Sequence, residues 1–510
     1  MDGNHGIARS PSNALTLAAI ATTAGLFAAL IAIPFLALSD KPLWYAPAIP
    51  ICAGAAMLFV WNSRYGLYFI AFAIAPLGIV QYEIAGITVN LPEVLILALF
   101  AKEALRFAIH KERPVDFFPK WSLPAFALAS VLGILTGLLR GNYFVGVLQD
   151  FRQYLEYVLL YVLVINRVSG RRQIMLTLFF FMLGMMLIAV HGILQHYFGW
   201  GISAHQMLSD TVYHSGIRGG SFYGATPLGA LMVLTLGTAA GLGLSVRSRI
   251  AKAFILACAI TALTAAILTY TRASWIAIAV EMVFIFASIR KTPLLAVTTV
   301  VVVLVLSVTL GSIVVQRMGK IEISKRERSL LERLEYYTAA WHIFRAHPLL
   351  GLGWGCRFNV NEINLNGRYV PLPPLLHRTH EIVSDDSSVS ARYLQTYRAV
   401  MAQSTVHSAY LQILVRTGLV GIVPFVWFLG QWVGRLLSER RRAERDERDH
   451  NLYIGVAAGI VGYLTHALVE NFFQWPVMAQ SFWLLLALTT IMAAQLSRKE
   501  PPGSPQGDGT

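Results

Sequence analysis

Long apolar runs, which recur from one end of the chain to the other, are the feature that most constrains its fold. Runs of about 18 residues or more are long enough to cross the ~30 Å hydrocarbon core of a bilayer as helices. Only helices and closed barrels satisfy their backbone groups in lipid, and these runs lack the alternation of barrel strands. The sequence therefore predicts an all-α polytopic membrane protein. Its composition agrees, because only 13% of the residues are charged, against about 25% in soluble domains.

We predict a helical bundle of about 14 transmembrane helices. The predicted spans are 14–38, 44–61, 66–80, 90–108, 121–140, 147–166, 174–198, 225–246, 250–270, 272–289, 293–315, 406–436, 452–473 and 476–495. The run 14–38 is too long for the apolar region of a cleaved signal peptide and is interpreted as the first helix. This divides the chain into a membrane part (1–315, helices 1–11), a large loop (316–405), a second membrane part (406–496, helices 12–14) and a disordered cytoplasmic tail (497–510).

The distribution of positive charge predicts the orientation. If the N-terminus is cytoplasmic, the short segments on that side carry 20 Lys and Arg residues, and those on the other side carry three, Lys41, Arg140 and Arg218. Cytoplasmic loops collect Lys and Arg, so both termini are expected inside and the large loop outside. The formal net charge of +14 then reflects topology, and we expect no nucleic-acid partner.

Three arginines are expected on the outer face, where ionisable residues of a membrane protein often mark function. Arg272 lies between two spans, and its alternative interpretation is an interfacial anchor. Arg218 lies among glycines before a span, and it could equally be a solvated loop charge. Arg152 lies at the outer end of its span, where a local pair with Glu156 is the alternative. Guanidinium groups match phosphate oxygens in bidentate fashion, so this set suits a diphosphate or sugar phosphate.

His407 is expected where the large loop re-enters the membrane, on the same face as these arginines. An imidazole is the natural general base near neutral pH, although a histidine at a helix start is more often structural. Three arginines and a histidine at the outer lipid boundary favour transfer from a lipid-diphosphate donor over ion transport. Metal binding is weakly indicated: His466 and Glu470 share a helix face but are expected to form a hydrogen-bonded pair, and the pair Asp385 and Asp386 is expected to be solvated. No metal and no cofactor are predicted.

Four segments resemble the superfamily of O-antigen ligases and O-antigen polymerases, which act on bacterial surface polysaccharides. The sequence from Tyr270 to Ala277 resembles the start of a family helix, and Arg333 with Trp341 and the His347–Gly355 segment resembles an element of the family's large loop. His407, Ser408, Leu411 and Gln412, with Gly418 and Gly421, resemble the element that closes that loop. The segment Ile217–Phe222 is more loosely similar. The sequence departs from the family at Ser408, where Asn is usual, and at 224–227, where the family has an Asn-Pro-Asn motif.

The resemblance implies a membrane-embedded glycosyltransferase of the GT-C type, metal-independent and inverting, in the bacterial inner membrane. Its donor would be a glycan on undecaprenyl diphosphate, and its acceptor a second glycan or lipid A–core. By this resemblance His407 would be the catalytic base and Arg218 and Arg272 would bind the diphosphate, with Arg152 and Arg333 as weaker candidates. Membrane lipid and a chain-length regulator are the further partners considered.

Three activities within the family compete. The extra spans and the divergent loop at 224–227 favour a polymerase that joins repeat units, closely followed by a ligase that transfers the finished glycan to lipid A–core. A protein O-oligosaccharyltransferase is the third. A polysaccharide or lipid transporter is the alternative from another class, but it predicts midplane charges and repeat symmetry, whereas most spans here have uncharged centres; Glu281 is an exception. The order of the motifs argues against a membrane scaffold without chemistry.

Overall fold

A computed structural model describes residues 62–78, 80–84, 87–110, 119–142, 144–199, 212–213, 216–217, 219–289, 323–355, 362–365, 368–371, 406–441, 447–472 and 475–498. Within these residues the architecture is helical, as the sequence predicts. The helices are α1 (Ser63–Ala73), α2 (Leu91–His110), α3 (Ser122–Leu139), α4 (Phe144–Arg167), α5 (Arg171–Phe198), α6 (Ala225–Ser245), α7 (Arg249–Leu268), α8 (Arg272–Ser288), α9 (Ile323–Ala346), α10 (Ala409–Arg441), α11 (Glu447–His466) and α12 (Pro476–Arg498).

The strands of the described residues form three short antiparallel hairpins. They pair β1 (Gln81–Ile84) with β2 (Ile87–Asn90), β3 (Val212–Tyr213) with β4 (Gly216–Ile217), and β5 (Glu362–Leu365) with β6 (Arg368–Pro371). Each hairpin lies in a connection between helices, so the strands do not change the helical class.

Six described helices are long and apolar enough to cross a membrane, namely α3, α5, α6, α7, α10 and α12 over Ser122–Leu139, Arg171–Phe198, Ala225–Ser245, Arg249–Leu268, Ala409–Glu439 and Pro476–Ser497. This indicates a multi-pass membrane protein. The total of about 14 helices and the GT-C class stay predictions, because the predicted spans 14–38, 44–61 and 293–315 lie outside the described residues.

The predicted span 66–80 takes a different form. Helix α1 has 11 residues, and at 1.5 Å per residue it is roughly 16 Å long, about half the thickness of the hydrocarbon core. A turn and the β1–β2 hairpin follow it. The apolar run is therefore divided, and the described helix is too short to cross a bilayer alone.

Helices α6 and α11 form the closely packed centre of the bundle. Glycines let the two backbones approach, since a Cβ on Gly237 would lie 2.4 Å from the amide nitrogen of Gly459, and one on Gly455 would lie 2.3 Å from the Cα of Gly241. Small residues at helix contacts are a regular means of packing in membranes. By contrast, α7 leaves large apolar side chains such as Ile250 and Leu256 exposed, as expected of a face that meets lipid.

Within the large loop, helical spacing over 326–346 favours a helix in the sequence, and α9 occupies this stretch. It packs against the first turns of α10 through a small apolar core of Tyr336, Ala339, Ala340, Ile343, Val406 and Val415. The start of α8, the end of α11 and the starts of α10 and α12 meet at this same end of the bundle, which is called the site end below. Because it carries the described part of the large loop, the site end is the expected outer face.

Candidate functional site

The first turn of α10 is fixed by its own residues and by the α11–α12 turn. The Ser408 hydroxyl accepts from the Leu411 amide at 3.4 Å, which is N-cap geometry, and Ser and Asn both serve at N-caps. The family departure at Ser408 therefore keeps a capping residue. The Ala409 amide donates to the carbonyl oxygens of Ala467 (3.0 Å) and Glu470 (3.1 Å). These bonds hold the backbone beside His407 against the turn.

His407 presents its imidazole at the site end, between the α11–α12 turn and α9. Its Nδ1 lies 3.6 Å from Oε1 of Glu470, and its side chain is 39% exposed whereas that of Glu470 is 8% exposed. The Tyr336 ring packs edge-on against the imidazole, with centroids 4.9 Å apart. The Tyr337 hydroxyl donates to the His407 carbonyl oxygen at 3.3 Å and to that of Leu468 at 3.0 Å. One edge of the imidazole thus faces a buried carboxylate while part of the ring is open.

Glu470 lies in the turn after α11 and is buried. Burial raises its pKa, but His407, His466 and the Asn471 amide outweigh this and bring the pKa of the carboxyl below its ordinary value. The Asn471 amide donates to Oε1 at 3.2 Å. Glu470 is therefore a carboxylate at neutral pH and supplies a fixed negative charge next to His407.

The predicted hydrogen-bonded pair of His466 and Glu470 takes another form. His466 ends α11, and its Nε2 lies 3.1 Å from the hydroxyl oxygen of Ser274 in the first turn of α8. Both residues are buried. Glu470 instead points to His407, although its charge still acts on His466. This link joins the start of α8 to the end of α11.

Arg272 is the first residue of α8 and is exposed. Since Ser274 follows two residues later, the contact between Ser274 and His466 brings the start of α8 to the site end. Arg333 on α9 approaches from the loop. Burial raises the pKa of Tyr337, and the nearby Arg333 guanidinium opposes that rise. The field of Arg333 also reaches His466. The structure thus brings His407, Arg272 and Arg333 to one end of the bundle.

Arg218 itself lies outside the described residues, but the segment that follows it is well held. The Gly219 amide donates to the Leu268 carbonyl at 3.0 Å, and the Gly220 amide donates to Oε1 of Gln195 at 2.9 Å. A Cβ on Gly219 would lie 2.8 Å from the carbonyl oxygen of Gly192. The backbone of Gly219, which follows Arg218, therefore lies against Leu268 at the end of α7. Leu268 precedes Arg272 by four residues.

Arg152 lies in a separate cluster between α2, α4 and the β1–β2 hairpin. It forms an ion pair with Glu93 and donates to the Thr88 carbonyl at 2.7 Å. The Glu93 carboxylate also accepts from the Asn90 amide at 2.9 Å at the start of α2. The ion-pair partner is thus Glu93 on another helix, in place of the local pair with Glu156. Glu93 partly neutralises the arginine, and a role for Arg152 in substrate binding stays a prediction.

The second half of the His347–Gly355 segment, residues 351–355, packs against three helices through its backbone, whereas residues 348–350 are exposed. The Leu352 and Gly353 amides donate to the Val415 and Arg416 carbonyls of α10 at 2.8 and 2.9 Å. The Trp354 indole donates to the Ser130 carbonyl of α3 at 2.6 Å. The Gly355 amide donates to the Asp150 carboxylate of α4 at 2.8 Å. This part of the loop motif therefore packs within the bundle.

A family model described as O-antigen ligase matches residues 257–426. This segment, about a third of the chain, is therefore similar to O-antigen ligases. A comparison with curated proteins finds no match. The match supports a function of the ligase or polymerase type in surface-polysaccharide assembly, and it confirms the resemblance drawn from the motifs.

The O-antigen ligase segment begins within α7 and ends within α10. It contains Arg272, Arg333 and His407, whereas Arg152, Arg218 and Glu470 lie outside it. The contact between Glu470 and His407 was missed from the sequence. Topology alone could have suggested it, because the large loop and the turn between the last two predicted spans are expected on the same face.

The ion pair between Asp150 and Arg416 was missed as well. The sequence signal for this pair was that Asp150 and Arg416 have opposite charges and lie in the expected outer halves of two otherwise apolar spans. The Arg416 guanidinium also lies over the Trp354 ring, 5.8 Å from its centroid. The pair therefore joins α4 and α10 beside the buried Trp354 ring of the loop segment.

Proposed function

We propose that the protein is a glycosyltransferase at the periplasmic face of the bacterial inner membrane, with a glycan on undecaprenyl diphosphate as its donor. The observation that carries this proposal is the half-exposed imidazole of His407 at the same end of the bundle as Arg272 and Arg333. A base beside cations suits attack by a hydroxyl with departure of a diphosphate. Both termini are cytoplasmic in this proposal, and the bundle is of the GT-C type.

The proposed reaction is a single displacement. His407 accepts the proton of the acceptor hydroxyl while the acceptor oxygen attacks the anomeric carbon of the donor sugar. The bond between that carbon and the diphosphate breaks, and its electron pair leaves with undecaprenyl diphosphate. Attack from the face opposite the leaving group inverts the anomeric configuration.

The arginines act on the leaving group. Arg218 and Arg272 bind the diphosphate, and charge that develops on its oxygens is stabilised by donors already in place. Arg333 approaches the same region from α9. Two guanidinium groups supply this stabilisation without a metal ion. Arg152 remains the weakest candidate, because it already pairs with Glu93.

Repeat-unit polymerisation is the activity that we propose first, on the divergent sequence at 224–227 and the number of predicted spans. Ligation of the finished glycan to lipid A–core is the second candidate, and the description of the matching family model favours it. A chain-length regulator is a proposed partner of the polymerase activity alone. Transfer to Ser or Thr of a protein and transport of the lipid-linked glycan remain the other candidates.

Product analysis tests the proposal and separates its versions. Purified full-length protein in lipid nanodiscs would receive an undecaprenyl-diphosphate repeat unit alone, with lipid A–core, or with a Ser/Thr-rich peptide. A ladder from the repeat unit alone indicates a polymerase, modified core a ligase, and modified peptide a protein transferase. Glycan products still formed at full rate in EDTA would support metal independence, and anomeric NMR of the product reports inversion. No covalent product with any acceptor would contradict the proposal.

Cysteine accessibility tests the proposed orientation. Ala346 is exposed at the end of α9, and Ser438 is exposed near the opposite end of α10. In a variant whose three native cysteines are replaced, an impermeant maleimide added to spheroplasts should label Ala346→Cys and should label Ser438→Cys only after lysis. The reverse pattern would place the site on the cytoplasmic face.

A further inference from the structure

The imidazole of His407 has two nitrogens with different surroundings. Nδ1 faces the Glu470 carboxylate at 3.6 Å, which is suitable for an ion pair but longer than a hydrogen bond of about 2.7–3.2 Å. Catalytic hydrogen bonds are often long before substrate binds. Nε2 lies on the other side of the ring, and 39% of the side chain is exposed.

We infer that Glu470 is a positioning residue for His407, whose carboxylate holds the Nδ1–H and leaves Nε2 as the proton acceptor for the acceptor hydroxyl. This inference rests on the proposed function, since it requires His407 to act as a base. A carboxylate only accepts hydrogen bonds, so an imidazole nitrogen that bonds to it must carry the proton. The neutral ring then has its lone pair on Nε2.

The Glu470 carboxylate is well placed for this role because the turn that carries it is tied to both neighbours of His407. The backbone of Glu470 accepts from the Ala409 amide at the start of α10, and the Tyr337 hydroxyl of α9 bridges the carbonyls of His407 and Leu468. The Asn471 amide holds Oε1 itself. Because the carboxylate is already held in place, it orients the imidazole ring with little further loss of conformational entropy when the reaction occurs.

The proton moves in a balanced cycle. The hydroxyl proton passes to Nε2 as the new glycosidic bond forms, and the diphosphate departs with the electron pair of the broken bond. His407 is then an imidazolium beside the Glu470 carboxylate, and it returns its proton to water. Arg218 and Arg272 stabilise the departing diphosphate, so proton acceptance and stabilisation of the leaving group belong to different residues.

Other charged and titratable groups face the same space. Arg333, Tyr336 and Tyr337 approach from α9, and His466 lies at the end of α11. Glu470→Asp keeps a carboxylate in this space whereas Glu470→Gln removes it, so a comparison of the two variants gives a signature beyond loss of structure.

The test compares wild-type protein with Glu470→Gln and Glu470→Asp, full-length and in nanodiscs. We expect the kcat of transfer to fall about 10²-fold or more in Glu470→Gln, with KM within about twofold. Glu470→Asp should recover part of the rate. Glu439→Gln is the matched control, because Glu439 is also buried and accepts from the Ser497 hydroxyl at 2.7 Å near the opposite end of the bundle.

Nitrogen-15 NMR of histidine-labelled protein reads the tautomer without turnover, and His407→Ala identifies the resonances. The inference expects the Nδ1–H form in wild-type protein. It is overturned by an Nε2–H form, or by a Glu470→Gln variant with an unchanged rate. If no acceptor is ever glycosylated, the proposed function fails, but the NMR result still decides whether the Glu470 carboxylate holds the Nδ1–H of His407. If Glu470→Gln does not fold, the wild-type tautomer and the Asp variant remain decisive.

Discussion

Two segments of the large loop carry motifs of the same family, yet they have different surroundings. The segment 347–355 gives its backbone amides and its Trp354 indole to α3, α4 and α10. The segment 406–412 is capped and tied at the backbone but leaves the His407 ring 39% exposed. The comparison teaches that a motif made of glycines and a tryptophan fixes where the loop is anchored. A motif made of polar side chains leaves one of them open for chemistry.

The largest expected effect is the loss of transfer activity when His407, in the second of these segments, is replaced. His407→Ala should lower transfer about 10³-fold, because general-base catalysis contributes about 10²–10⁴-fold, with an unchanged unfolding midpoint. His342→Ala, a half-buried histidine on α9, is the matched control and should stay within about threefold. Equal activities of the two variants in the nanodisc transfer assay would remove His407 from the site.

Arg272→Ala should have the next largest effect. Loss of one donor to a developing negative charge costs about 10²–10³-fold, so kcat/KM should fall by about that factor. Arg249→Ala is the control, because Arg249 is also an exposed first residue of a helix but begins α7 at the opposite end of the bundle. Steady-state kinetics with the lipid-linked donor measures both, and an equal loss in both variants would indicate a general effect of charge.

Gly353→Ala tests, through its effect on stability, how the packed residues 351–355 are held. Gly353 has φ +80°, and a Cβ there would lie 2.1 Å from the Gly137 amide nitrogen. Strain in the left-handed region and displacement of α3 together should cost about 3 kcal/mol or more, seen as a lower unfolding midpoint. Gly430→Ala on α10 meets open space and should be neutral. A Gly353→Ala protein as stable as Gly430→Ala would show that the segment is not held as described.

The smallest expected effect is a pH dependence of stability at His347. Burial and the nearby Arg140 guanidinium lower the pKa of His347. The unfolded chain therefore binds the proton more readily than the folded one, so this contribution to stability is complete above about pH 6.5 and is lost as the pH falls through the lowered folded-state pKa. Unfolding midpoints at pH 7.5 and 5.0 should differ less in His347→Gln than in wild type. An identical difference would exclude the effect.

The sequence allowed a good part of this architecture to be predicted. Apolar runs predicted the spans that appear as α3 and α5, and helical spacing predicted α9. The positions of His407 and Arg272 at span ends predicted that they lie at one face, because successive spans bring alternate ends to the same side. Each of these inferences uses only the period of a helix and the thickness of a bilayer.

The rest depends on contacts between distant parts of the chain. The approach of Glu470 to His407 requires the turn after α11 to bond the Ala409 amide. Likewise, Arg152 had an obvious local partner in Glu156, but the fold supplies Glu93 from α2. The role of Gly353 follows from a close approach to α3 that no local pattern encodes. The sequence therefore indicated the residues that carry chemistry. It was less informative about the residues that contact them.

Single-turnover transfer tests the central claim most directly. Purified protein, mixed with a labelled undecaprenyl-diphosphate glycan and excess acceptor, should release undecaprenyl diphosphate in step with the glycosylated product. His407→Ala should bind the donor with wild-type affinity and release almost none. Transfer by His407→Ala at the wild-type rate, with the donor equally bound, would contradict the assignment of chemistry to this end of the bundle.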